Sequence, residues 1–186
     1  MAEILADVSP FSIPNVRRFV AFRLFFNARF YYPVFTILFL DMGLTLSQFA
    51  LLNTVWALTI VALEVPSGAL ADSIGRRRLL ILCGCLMTVE MSLLAFAPAG
   101  NPDLLFAVLL ANRFFSGAAE AAASGADEAL AYDSLKDAGL SDGWSRVLEM
   151  QMRIQSLGYV VVMVVGAAVY DPAFVGGVLG MIGWGG

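Results

Sequence analysis

The sequence contains no histidine. That removes the commonest metal ligand and the side chain that most often serves as a general base near neutral pH. Cysteine is nearly as scarce, with only Cys83 and Cys85. They form a C-x-C inside an apolar run. Neighbouring helical positions point in different directions and no further ligand lies nearby, so the pair reads as two small packing residues rather than a soft-metal or redox site. Neither cysteine argues for a disulfide or an oxidising compartment. No Ser or Cys nucleophile sits in a motif with a base, and no metal cluster is evident, which argues against an enzyme and against a bound metal or organic cofactor.

Charge is also thin. Of 186 residues, 14% are charged and 60% are hydrophobic, with a mean hydropathy of +0.81. A soluble domain of this size could not hide so much apolar surface, whereas a bilayer acts as the apolar solvent. The expected fold class is therefore an all-α membrane protein. The net charge of −4 says little, because the placement of charge matters more than its sum. The expected partners are the lipid bilayer and a small-molecule substrate, and not nucleic acid.

A spanning helix needs roughly 20 apolar residues. Five stretches meet that need: 19–40, 47–65, 79–97, 104–130 (with polar interruptions) and 152–170. A sixth begins near Ala173 and stops at Gly186, too short to cross unaided. Residues 1–15 carry Glu3 and Asp7 but no cleavable apolar core, so they read as a cytoplasmic tail with room for a short surface helix, not a signal peptide. Residues 16–186 then form one helical bundle. Its links are short, which makes neighbouring spans antiparallel, and Ser47 is placed as the N-cap of the second span.

Arg17, Arg18, Arg76, Arg77, Arg78, Lys136, Arg146 and Arg153 fall at the N-terminus or in the second and fourth loops. The first and third loops hold no Lys or Arg, only Asp41 and Asp103 at their edges. This positive-inside asymmetry predicts a cytoplasmic N-terminus.

The most specific segment is the second loop, Gly68-Ala-Leu70-Ala71-Asp72-Ser73-Ile-Gly75-Arg76-Arg77-Arg78-Leu-Leu80. Two glycines permit a tight turn and close helix approach. Asp72 can pair with a neighbouring arginine or sit at a helix N-terminus. The segment resembles the signature loop of major facilitator transporters, G-x-L-A-D-x-x-G-R-R/K-x-x-L, which lies between their second and third helices. Gly68, Leu70, Asp72, Gly75, Arg76, Arg77 and Leu80 match it. Ser73 departs from it, since many members are basic there. Arg113-Phe-Phe-Ser116-Gly117 is similar to the R-x-x-Q/S-G pattern of the family's fourth helix. The following Ser124-Gly-Ala-Asp127-Glu128 to Asp133 segment looks like a bacterial permease branch, which implies a bacterial inner membrane. The Gly-Pro pattern of drug/proton antiporters is absent from the fifth span. The resemblance implies an N-terminal half of a transporter, with five full transmembrane helices and a sixth that is cut short. The missing partner would be a C-terminal half or a second six-helix unit.

Ionisable groups at membrane depth are costly and so are functional candidates. Arg29 lies near mid-depth of the first span, close in sequence to Asn27, Tyr31 and Tyr32. By resemblance the first and fourth helices line the central cavity. Arg29 then reads either as a contact for an anionic substrate, with Asn27 and Tyr32 nearby, or as a structural partner for a carboxylate. On the fourth span Arg113, Gly117, Glu120, Ser124 and Asp127 share one helical stripe of about 21 Å. Glu120, paired with Arg29 or Arg113, is the first candidate for proton coupling, because a desolvated carboxyl can exchange a proton during transport. The alternative is a static ion pair between helices. The resemblance also implies a charge network of Asp72, Arg76 and an acid at the inner end of the fourth helix, either Asp127 or Asp133, that holds the two halves in the outward-facing state. Glu90 is open between a functional role and outward snorkelling. Two functions follow from these readings: ion-coupled solute transport by alternating access, or a transport-inactive fragment that only assembles with a partner.

Overall fold

The computed structural model describes residues 8–98 and 100–181. Tail residues 1–7, with Glu3 and Asp7, and the end of the expected sixth helix at 182–186 lie outside the described residues. Among the described residues there is no strand. The helices are α1 (Pro14–Asn27), α2 (Phe35–Asp41), α3 (Leu46–Ile74), α4 (Arg76–Ala95), α5 (Pro102–Ala123), α6 (Ala126–Asp137), α7 (Trp144–Tyr170) and α8 (Pro172–Met181). Within the expected tail, the described residues hold a short 3-10 turn, Pro10–Ser12, and the start of α1 at Pro14. Among the described residues, four helical stretches are long and apolar enough to cross a membrane: Leu46–Ile74, Arg76–Ala95, Pro102–Asp137 and Ser141–Tyr170. In hydrocarbon the backbone must satisfy its own hydrogen bonds, which a helix does within one segment.

The stretch 19–40, expected as one continuous span, is broken. α1 ends at Asn27, residues 28–31 are not helical, a 3-10 turn covers Tyr32–Val34, and α2 follows. Pro33 explains the break. It has no N–H for the carbonyl of Arg29, which instead accepts from the Tyr32 N–H at 3.0 Å, an i to i+3 bond in place of the α-helical one.

The second span is capped earlier than Ser47 suggests. Thr45 is the N-cap, its Oγ1 accepting from the Gln48 N–H at 3.2 Å while Gln48 Oε1 accepts from the Thr45 N–H at 2.9 Å. This reciprocal capping box satisfies two donors where a lone Ser47 would satisfy one. The helix then runs on through Pro66 to Ile74. The segment expected as a loop is therefore mostly helix, and the turn is carried by Gly75 alone, whose φ of +89° suits a residue without Cβ. Asn101 caps α5 by accepting from the Leu104 N–H at 3.1 Å, with Pro102 in the first turn.

The chain forms two compact units: Met1–Leu38 with Ser134–Gly186, and Phe39–Asp133. In the first, α1 packs along α7. The Phe19 and Trp144 rings meet at 5.8 Å, Asn15 Nδ2 donates to Ser134 Oγ at 2.9 Å, and Gly166 leaves room for the Phe30 carbonyl and Pro33 at the break. In the second unit, α5 packs against both α3 and α4. Its run of small residues, Ser116 to Ala119 and Ala121 to Ala123, is buried, as close helix approach in a membrane requires.

At Gly117 a Cβ would lie 2.7 Å from the Trp56 carbonyl and 2.9 Å from Thr59 Cβ. Gly117→Val should therefore lower stability by about 1–3 kcal/mol, the usual cost of overpacking. Gly68 has nothing within 4 Å of that position, so Gly68→Ala should hold or raise stability by up to about 1 kcal/mol. Thermal unfolding of both variants in detergent checks the contrast.

Candidate functional site: membrane-embedded charges and the helix ends

In the first unit, the break after α1 gathers three of the candidate residues. Arg29 is buried and its Nη1 donates to the Tyr32 hydroxyl. Its guanidinium lies 5.4 Å from the ring centroids of both Phe26 and Tyr32, a cation–π arrangement that tolerates a charge among aromatic rings. Tyr31 meets Tyr32 edge to face at 5.2 Å. Asn27 closes α1, its side chain donating to the Arg23 carbonyl at 2.8 Å while its own carbonyl accepts from the Arg29 N–H at 2.9 Å. The break is what brings Arg29 and Tyr32 into contact without a continuous helix.

In the second unit, Arg113 sits in the α4–α5 contact. Its Nη2 is 3.4 Å from Glu90 Oε1, and both side chains are at most 4% exposed. Arg113 Nε donates to Asn112 Oδ1 at 2.9 Å, and Asn112 Nδ2 donates to the Glu90 carbonyl at 2.7 Å. The Phe39 ring lies 5.6 Å from the guanidinium. One turn further, the Ser116 hydroxyl is fully buried with no hydrogen-bond partner among the described residues. Beyond it Cys83 Sγ is 3.3 Å from the Ala119 carbonyl. Cys85 is exposed, so the two cysteines face different surroundings.

Glu90, open between two roles from the sequence, is a buried partner of Arg113. The usable signal was the general one: an acid within a span demands a counter-charge. Periodicity on one helix cannot say which neighbour supplies it.

The polar stripe of the fourth span is not one helix. α5 ends at Ala123, Ser124 is its C-cap, and Gly125 at φ +72° turns the chain into α6. Arg113, Gly117 and the half-buried Glu120 therefore belong to α5, while Asp127 belongs to α6. Gly117 faces the α3 backbone. Ser124 Oγ donates to Glu64 Oε1 at 3.4 Å. Asp127 is buried and its Oδ1 accepts from the Glu128 N–H at 2.8 Å.

Around the Gly75 turn, Asp72 and Arg77 are exposed, and Gly68 lies inside α3. Arg76 Nη1 is ion-paired with Asp133 Oδ2, joining the first residue of α4 to α6. Both side chains are part-exposed, so the pair is a weak tie of up to about 1 kcal/mol.

Breaking the Glu90–Arg113 pair from one side leaves a buried charge, and each of Glu90→Gln and Arg113→Gln should cost about 3–5 kcal/mol. The double variant should cost much less than the sum. A double-mutant cycle by thermal unfolding in detergent measures the coupling, and additive losses would contradict the pairing.

No match emerged among curated proteins or among solved structures. The family model described as Major Facilitator Superfamily matches residues 19–185, most of the chain and all of the described candidate residues. The chain is thus an integral membrane protein with spanning helices, a buried charge pair and a glycine–arginine helix turn, and it belongs to the Major Facilitator Superfamily, a family of membrane transporters rather than enzymes.

Proposed function

We propose that the chain is one half of a secondary active transporter that moves a small solute by alternating access, coupled to a proton or another ion. The site would lie between this half and a second one, in a bacterial inner membrane with the N-terminus in the cytoplasm. The observation that carries this reading is the Arg76–Asp133 ion pair. It joins residues 57 apart in sequence, next to Arg77 and Arg78 in the chain. A weak, part-exposed tie suits a gate, because a contact worth up to about 1 kcal/mol can bias two conformations without freezing either.

Arg29, with Asn27 and Tyr32, supplies the substrate contact in this reading. A buried guanidinium in an aromatic surround favours a substrate that carries negative charge. Glu120 is the coupling carboxyl on α5, with Arg113 and Ser124 on the same helix shaping the path. Gly68, Asp72, Gly75, Arg76 and Arg77 form the gating turn, and of the two candidate acids on α6, Asp127 and Asp133, the ion pair to Arg76 favours Asp133.

Labelling tests the reading without knowledge of the substrate. A single cysteine at Asn27, with Cys83 and Cys85 replaced by alanine, is exposed to a membrane-impermeant maleimide from either side of the bilayer. Asp133→Asn and Arg76→Gln should each change the ratio of the two labelling rates by up to about fivefold, the equivalent of about 1 kcal/mol. Ratios that ignore both substitutions would overturn the gate.

A further inference from the structure

In the second unit, the turn of α3 that carries Pro66 and the broken end of α5 are stitched together. α3 carries Pro66 inside its 29 residues, so the Ala62 carbonyl loses its ladder donor and the helix is weakened at that turn. α5 stops at Ala123, and Gly125 at φ +72° starts a new direction for α6. The last carbonyls of a helix need partners from outside its ladder. Ser124 N–H takes the Glu120 carbonyl at 3.0 Å.

The Ala121 carbonyl is met from the other helix. Ser67 Oγ lies 2.7 Å from it and 2.8 Å from the Glu64 carbonyl of its own helix. One hydroxyl proton is thus shared between α3 and the end of α5. A serine that bonds only to the carbonyl three residues back would be a common local motif. The second acceptor, across the interface, makes this one a tie.

A reciprocal tie runs the other way. Ser124 Oγ, the C-cap of α5, donates to Glu64 Oε1 at 3.4 Å. Glu64 and Ser67 are three residues apart on α3, and Ala121 and Ser124 are three apart at the end of α5, so each pair shares a helix face. Just beyond the ties lie the last two turns of α3, with Asp72, and α6, with Asp133 held to Arg76.

We infer that Ser67 and Glu64 are positioning residues of the gate: they register the Pro66 turn of α3 against the α5–α6 break, so that the end of α3, which leads through Gly75 to Arg76, and α6, which carries Asp133, move as one piece. This rests on the alternating-access reading, because a registered turn matters to transport only if those segments move. Neither residue touches the Arg76–Asp133 pair. They act through the direction they give to the end of α3, which leads into the Gly75 turn before Arg76, and to the start of α6.

The test uses the full-length protein in lipid nanodiscs, with nitroxides at Ser73 and Glu128, both exposed and beyond the ties, and Cys83 and Cys85 replaced by alanine. Ser67→Ala should broaden the distance distribution between the labels. In the separately labelled Asn27→Cys protein it should change the ratio of labelling rates by roughly two- to tenfold, the range set by one net hydrogen bond. Ser67→Thr keeps the hydroxyl and should restore both readouts. Unchanged distances and an unchanged ratio in Ser67→Ala would overturn the inference. So would a Thr variant that recovers thermal stability and neither readout, since that is the signature of plain packing. If Asp133→Asn leaves the labelling ratio unaltered, the gate reading fails, while the nitroxide distances still decide whether Ser67 registers the two helices.

Discussion

A guanidinium inside a bilayer needs a counter-charge and hydrogen-bond acceptors, and the second unit is arranged around meeting that need at Arg113. Glu90 of α4 supplies the charge, Asn112 supplies an acceptor for Nε and a donor for the Glu90 backbone, and the Phe39 ring covers the guanidinium. Such a pair adds little net stability over apolar packing, yet it penalises every register in which the partners miss each other. It therefore fixes how α5 lies along α4. With that contact set, the small residues of α5 can bring a third helix close, and Gly117 meets the backbone of α3 where a larger residue would not fit.

Departures from regular helix accompany several of the chain's polar contacts, although Glu90 and Arg113 meet on unbroken helices. Pro33 accompanies the break that holds Arg29 and Tyr32 together, Pro66 the turn that carries Ser67, and Gly125 the turn that exposes Ser124 to Glu64. Freed backbone groups at membrane depth must find partners in protein, and hydroxyls and short polar side chains supply them here. The same irregularities point side chains in directions that a straight helix would not allow. Two different chemistries result: an aromatic-lined cation in the first unit, and stitched helix ends leading to an ion pair in the second.

Much of this could be read from the residues. Hydropathy located the apolar stretches, because length and composition are properties of single segments. The glycine–arginine segment pointed to the family, and the match over residues 19–185 agrees with it. Other features were hidden for physical reasons. Ser47 is a good cap in isolation, but Thr45 and Gln48 cap reciprocally and win by one more satisfied donor. The stripe from Arg113 to Asp127 assumed one helix, and a single positive-φ glycine at 125 divides it. Continuity through 19–40 was inferred from apolarity, which Pro33 does not alter, although it removes the hydrogen bond that continuity needs. The Glu90–Arg113 and Ser67–Ala121 contacts join different helices, and one-dimensional spacing carries no information about which faces meet.

Everything in the second unit depends on α5 being held against α4 in one register by buried polar contacts. Disulfide trapping probes that register, because the native Cys83 lies against Ala119 with its Sγ 3.3 Å from the Ala119 carbonyl, while Cys85 is exposed. In the Ala119→Cys variant, mild oxidation in native membranes should join the introduced thiol to Cys83, since bridging requires Cα atoms within about 7 Å. A bond from that thiol to Cys85, or none at all in protein that is folded and membrane-inserted, would contradict the register and the packing built on it.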